Sequence, residues 1–290
     1  MKKKNRVVYS IFTGPLVTIF SIVVLIPFIV GIYYSFFEWD GIRTNPMTFV
    51  GLDNYLRLIS DQQFINSAIL TIKFTFIAVI SVNLLGLGFA LLVTSKLKMV
   101  NPARTMFFMP NLIGGLILGY IWQFIFSDAF RLIGENTGFQ AIFRNWLLDS
   151  SLALYAMVIV FSWQMAGYMM VIYIAGIQGI PGETLEAAKI DGASAWQRLK
   201  NITLPLLMPS FTICLFLTLS FGFKIYDVNL ALTEGGPAGS TELFALHIYN
   251  EIFGRYNYGY GQAKAVVFFL MVAAVTLTQV YITKKREVEM

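Results

Sequence analysis

Six long stretches of the chain contain no Asp, Glu, Lys or Arg: 7–37, 74–95, 105–127, 150–182, 201–223 and 265–283. A helix needs ~20 apolar residues to cross the hydrocarbon of a bilayer at ~1.5 Å per residue, and each stretch is about that long or longer. The pattern predicts helices at about 8–34, 67–94, 105–126, 151–174, 206–228 and 263–283. Polar connections fall at 35–66, 127–150 and 229–262 on one side and at 95–104 and 175–205 on the other. Tyr33, Tyr34, Phe36, Phe37 and Trp39 gather at the end of the first stretch, as aromatic side chains do at a membrane–water interface. Lys73 and Lys264 fall at helix ends, where long stems are expected to snorkel.

The first stretch follows Lys2, Lys3, Lys4 and Arg6, a basic start that a secretory signal would share. It exceeds an apolar signal core of ~7–15 residues and has no clear small-residue cleavage site, so it reads as a retained membrane helix. Composition agrees: 57% of the 290 residues are hydrophobic and 13% charged, against roughly a quarter charged in soluble domains. Mean hydropathy is +0.68. A soluble enzyme, a nucleic-acid binder and a disordered chain are excluded. The single cysteine, Cys214, makes an intrachain disulfide impossible, and the single histidine, His247, cannot assemble a metal cluster alone.

The net charge of +5 is unevenly distributed. The amino end, the stretch with Lys96, Lys98 and Arg104, residues 183–200 and the carboxyl end carry 13 basic and five acidic residues. The rest of the chain carries eight basic and 11 acidic. An excess of Lys and Arg marks the cytoplasmic side of a membrane protein, so both termini are expected in the cytoplasm.

The spans hold no paired carboxylates and no basic stripe, which weighs against an ion-coupled carrier. Uncharged polar and aromatic residues do occur in or beside them: Asn83, Asn111, Trp122, Gln123, Gln164, Tyr168, Tyr226 and Asn229, with Lys224 and Asp227 near a span end. Two readings stay open. Each amide bonds a neighbouring helix, or the group lines a path for a hydroxyl-rich solute with aromatic faces for its apolar sides. Gly115 and Gly119 form a GxxxG spacing suited to close helix packing. The string from Gly235 to Thr241 is rich in glycine but lacks the lysine of a phosphate-binding loop, so it reads as a turn-rich element.

Residues 181–209 are the most informative segment: PGETLEAAKIDGASAWQRLKNITLPLLMP. A first short helix is expected from about Glu183 to Ile190, with acidic residues in its first turn, where the helix dipole favours them. Asp191-Gly192 ends it, glycine supplying a left-handed exit. Ser194 with Gln197 three residues later is a capping-box pattern for a second helix. Trp196, Leu199 and Ile202 share a face until Pro205, which is expected to stop that register and open the fifth span. From 183 to 200 three acids balance three bases, whereas a helix lying on anionic lipid should be basic. Ala187 and Ala188 offer a thin face suited to a groove on a protein partner.

Glu186-Ala187-Ala188, Asp191-Gly192-Ala193 and Ile202-Thr203-Leu204-Pro205 resemble the EAA loop of permease subunits in binding-protein-dependent ABC importers, with Leu199 where many relatives have phenylalanine. FVGLDNY at 49–55, PARTMFFMPNLIGG at 102–115 and YDVNLALTEGGPAGST at 226–241 are similar to the carbohydrate-uptake branch, the sugar and glycerol-phosphate permeases. The resemblance implies an all-α integral membrane protein with six transmembrane helices, a type I importer permease with a cytoplasmic coupling elbow. It implies a peripheral first helix and loop (1–66), a core transmembrane domain (67–283, including the coupling loop 181–205) and a short cytoplasmic tail (284–290).

The implied partners are a second permease subunit, two ATPase subunits, an external solute-binding protein and the lipid bilayer, with no nucleic acid. ATP and Mg would bind the ATPase, leaving this chain without a cofactor, metal or catalytic residue. Glu183, Glu186, Ala187, Ala188, Asp191, Gly192, Ala193, Leu204 and Pro205 would seat the elbow in an ATPase groove. The alternative is a stand-alone carrier driven by a solute or ion gradient. A membrane enzyme lacks the nucleophile–base pair or metal set it would need.

Overall fold

The computed structural model describes residues 2–95, 100–285 and 287. Lys96, Lys98, Arg286 and Glu289, which entered the charge count, lie outside them. Among the described residues, five helices are long and apolar enough to span a membrane: Ile11–Tyr34, Gln62–Val93, Gly115–Thr137, Ser150–Gly179 and Tyr258–Lys284. The pair Ala195–Leu206 and Met208–Phe223 makes a sixth candidate, bent by 66° at Leu207. The fold is all-α and membrane-spanning, apart from a two-residue antiparallel pairing of Phe37 with Phe49 and Glu38 with Thr48.

Contacts divide the chain into two compact units. The first comprises residues 1–65 and 248–270. Its helix Ile11–Tyr34 leaves its apolar side chains largely exposed, as a helix facing lipid must. The FVGLDNY segment is a latch here. Asn54 is buried and donates to the Ser35 and Phe37 carbonyls at 2.9 Å each, and Tyr55 meets Ser35 through their hydroxyls at 2.5 Å.

The second unit comprises residues 66–247 and 271–290. Its core gathers Phe74, Val82, Leu118, Met157, Met169, Tyr173, Cys214 and Leu232. Helix Ser150–Gly179 is central: two-thirds of its most apolar window is buried. Asp149 caps its start, accepting from the Ser151 and Leu152 amides. Those hydrogen bonds, led by the Ser151 hydroxyl, hold the Asp149 carboxyl below the usual carboxylate range.

Several boundaries differ from those expected. The third span is not one helix from 105 to 126. Helix Val100–Phe108 gives way to a tight 3-10 turn at Met109–Leu112, containing Pro110, and the spanning helix starts at Gly115. That helix runs on to Thr137, past the charges that marked a loop. Arg131 pairs along it with Asp128 at 3.8 Å and Glu135 at 3.4 Å, spacings that support an exposed helix face.

Pro205 does not open the fifth span. It lies within Leu204–Leu206, after a wide π turn at Leu199–Thr203 in which the ordinary i−4 hydrogen bonding is already relaxed, and the break falls at Leu207. The span itself ends at Phe223 rather than 228, and Asp227–Thr233 is a separate short helix. The sixth span begins at Tyr258 rather than 263. Helices Asp53–Ser60 and Phe244–Tyr249 occupy segments read as connections.

Candidate functional site

The elbow is built almost bond for bond from its local sequence. Helix Gly182–Ile190 carries Glu183 in its first turn and Lys189 in its last, each favourable to the helix dipole. Gly192 follows with φ of +78°. Its amide donates to the Lys189 carbonyl at 3.2 Å, and the Ala193 amide donates to Ala188 at 2.9 Å. Together these make the two-bond helix ending that a left-handed residue permits. The capping box then starts the second arm: Gln197 N donates to Ser194 Oγ at 3.3 Å, and Ser194 N donates to Gln197 Oε1 at 2.7 Å. The Arg198 guanidinium also donates to the Ala193 carbonyl, bracing the corner.

Of the elbow residues, Glu183, Glu186, Ala187, Asp191 and Gly192 are exposed, and Ala188, Ala193, Leu204 and Pro205 are half-buried. Ile190 and Trp196 expose 86% and 68% of their surface. Two large apolar side chains held out by a rigid corner are what a protein interface uses as anchors.

The polar path candidates, all in the second unit, have varied surroundings. Asn83 is buried and fully engaged: it donates to the Val79 carbonyl at 2.8 Å and Thr218 at 3.0 Å, and accepts from the Tyr173 hydroxyl at 2.7 Å. Gln164 donates to the Ile113 carbonyl at 3.0 Å, bonding the backbone left open where the third span breaks. Asn111 is half-buried in that 3-10 turn. Trp122 stacks on Phe126 and meets Trp163 edge-on, Gln123 is exposed and Tyr168 is half-buried. Lys224 and Asp227 are exposed at the helix ends around half-buried Tyr226. Asp227 packs against Gly115, whose added Cβ would lie 2.7 Å from that of Asp227. Gly119 meets Ala231 in the same way at 2.5 Å. The GxxxG face therefore seats helix Asp227–Thr233 within the chain.

Asn229 is another structural hub. Its amide donates to the Thr241 carbonyl at 2.8 Å and to Thr233 at 3.0 Å, and its oxygen accepts from the Leu243 amide at 3.1 Å. It ties the glycine-rich loop to helix Asp227–Thr233.

The snorkelling expected of Lys264 is wrong. Its side chain is fully buried in the first unit and reaches Glu251 at 2.7 Å and Asp61 at 3.0 Å. Tyr260 donates to Asp61 at 2.7 Å, and Arg255 and Asn257 donate to Glu251 at 2.9 and 2.7 Å. Burial alone would raise the Asp61 carboxyl. The Phe64 amide, the Tyr260 hydroxyl and the Lys264 ammonium outweigh it and hold the group well below the usual range. Burial is likewise outweighed at Glu251, where Lys264, Asn257 and Arg255 lower the carboxyl. Sequence reasoning missed this knot because its members are 61, 251 and 264 and no local spacing joins them. Two acids ahead of apolar runs, with one lysine directly before the last run, were the only trace.

Five candidate spans, a bent sixth pair and an exposed two-helix corner make up the all-α, multi-pass membrane fold of type I importer permeases. Residues 83–288 match the family described as the inner membrane component of binding-protein-dependent transport systems, and the chain belongs to that family.

Among its relatives, a probable permease protein for starch degradation products, AmyD of Thermoanaerobacterium thermosulfurigenes, is 49% identical over 99% of this chain and 97% of its own. The multiple sugar-binding transport system permease MsmF of Streptococcus mutans is 32% identical over 90% of each. The trehalose/maltose permease MalF of Thermococcus litoralis is 31% identical over 94% and 92%. A bacterial ABC transporter involved in import of the acidic polysaccharide alginate has a chain of the same fold. Its TM-score is 0.83 at 18% identity, covering 98% of this chain and 96% of that one. A second structure of an alginate ABC transporter, in complex with an alginate pentasaccharide-bound periplasmic protein, gives 0.81 at 18% identity.

Proposed function

We propose that this chain forms half of the translocation path of an ATP-driven carbohydrate importer, with an oligosaccharide as its solute. One observation carries the coupling role: a rigid, exposed corner with Ile190 and Trp196 outward, continuous through Leu207 with a membrane-spanning helix. Such a corner transmits movement without chemistry. When nucleotide closes the ATPase dimer, helix Gly182–Ile190 is displaced and the bent arm carries that displacement into the span. The residue set Glu183, Glu186, Ala187, Ala188, Asp191, Gly192, Ala193, Leu204 and Pro205 is the coupling element. A second, related permease completes the path, two ATPase subunits dock on the elbow with ATP and Mg, and a solute-binding protein delivers from the other face.

The sugars named for AmyD, MsmF and MalF support the solute class. The exposed or half-buried Asn111, Trp122, Gln123, Tyr168, Tyr226, Lys224 and Asp227 are better placed for solute than Asn83, whose amide is spent on neighbours. The basic excess on the elbow side supports cytoplasmic termini. The core domain runs from about 67 to 283. The test is photo-crosslinking from Ala187 or Ile190 in the intact membrane. Capture of a nucleotide-hydrolysing subunit is expected, and capture of phospholipid alone would sink the coupling role. Uptake by this chain alone in vesicles without ATP would instead favour the gradient-driven carrier.

A further inference from the structure

The bend that joins the elbow to its span also shapes a groove of about 460 Å³, lined by Lys200, Leu204, Pro205, Met208, Phe211, Leu215, Ile282 and Thr283. Its floor is apolar and its basic member is at one end. Leu204 and Pro205 come from the arm before the break; Met208, Phe211 and Leu215 come from the helix after it, at the spacing of one helical face. Ile282 and Thr283 close the side. The last helix is tied there by Gln279, which donates to the Thr212 carbonyl at 3.4 Å and to Thr283 at 3.1 Å.

Lys200 is exposed one turn before Leu204 and makes no ion pair among the described residues. Exposed Lys284 and Lys285 follow Thr283 directly. A cation at the mouth of an apolar trough, where a spanning helix meets the elbow, matches a molecule with an anionic head and an aliphatic tail. From Met208 to Leu215 the trough runs ~10 Å at ~1.5 Å per residue, room for the upper part of one acyl chain.

We propose that this groove binds an anionic phospholipid, its phosphate at Lys200 and one acyl chain along Leu204, Met208, Phe211 and Leu215. The lipid would brace the 66° bend, so that the elbow's stiffness depends on anionic lipid in the adjoining leaflet. The proposal does not depend on which solute is carried. The groove takes in the elbow's own Lys200, Leu204 and Pro205, so the head group meets one lysine at the elbow's membrane end. The balanced charge of 183–200 as a whole still argues against that segment lying flat on anionic lipid.

The test uses the whole transporter complex, purified in detergent and titrated with dioleoylphosphatidylglycerol or dioleoylphosphatidylcholine, with retained lipid read by native mass spectrometry. Preferential retention of the anionic dioleoylphosphatidylglycerol is expected, and Lys200→Gln should cut that preference roughly fivefold, the effect of one lysine near an anionic surface. Leu215→Trp, which fills the trough, should abolish retention of both lipids. Should it fail to assemble, Lys200→Gln, a surface change, still decides the matter. Equal retention of the two lipids, or an unchanged preference in Lys200→Gln, overturns the proposal. So does displacement of the lipid by glycerol 1-phosphate at matched concentration, which would make this a head-group site only. A photo-crosslinker at Met208 should label lipid; labelling of a protein subunit there would assign the groove to an interface instead.

Discussion

Gly192 is the residue at which the elbow's coupling role can be tested most directly. Its φ is +78°, and a Cβ added there would meet nothing within 4 Å. Substitution therefore brings no collision, and its whole cost lies in the backbone. An L-residue held in the left-handed region costs roughly 1–2 kcal/mol, which lowers the population of the native corner about 5- to 30-fold. Asparagine tolerates that region better than alanine, and a β-branched residue is the worst case. The two hydrogen bonds at risk are those from the Gly192 and Ala193 amides that close the first helix.

The expected order of defects is thus Gly192→Asn mildest, Gly192→Ala intermediate and Gly192→Val severe. The assay is ATP-driven uptake, with solute-stimulated ATP hydrolysis, by the assembled transporter in proteoliposomes; immunoblotting confirms equal membrane insertion. Asparagine is larger than alanine, so the order separates backbone strain from crowding. If the Gly192→Val variant supported normal uptake in a normally assembled complex, or if asparagine were worse than alanine, the bend would not be the coupling feature.

Three further outcomes are expected. Lys264→Met strands two carboxylates and should destabilise the purified chain by about 3–5 kcal/mol, the usual effect of removing one partner of a buried pair; an unchanged melting temperature would show that the knot holds nothing. Asp61 and Glu251 sit below their ordinary values of 3.8 and 4.5, so on acidification the unfolded chain takes up protons first. Their contribution is complete at neutral pH and is lost as pH falls below those values through the folded ones, seen as a melting temperature that drops in acid for the native chain and less for Lys264→Met. Gly119→Ala drives a Cβ into Ala231 and should cost about 1–3 kcal/mol, with Ala231→Gly restoring stability in the double variant; additive losses would mean the two helices do not meet there.

Local order was legible in the sequence wherever the cause lay within a few residues. The uncharged runs located the spans, because a bilayer core accepts little else. The elbow was readable to the level of individual bonds: Gly192 could only be an exit, and Ser194 with Gln197 could only start a helix efficiently by capping it. Helix breaks were less legible. Charges at 128–135 ended the predicted span, yet a helix continues through them because i, i+3 and i, i+4 pairing suits an exposed face. Pro205 looked like a stop, but a π turn before it moved the break to Leu207.

Tertiary structure alone decided the fates of single polar side chains. Asn83 and Lys264 look alike to a reader of hydropathy, each a polar residue in or beside an apolar run. Packing spends the first on Tyr173 and Thr218, and encloses the second between Glu251 and Asp61. Those partners lie 13 to about 200 residues away along the chain, and no periodicity encodes them. Burial of a charge depends on what the fold brings to meet it, which is why hydropathy could assign the membrane, and local capping signals the corner, but neither could assign the knot.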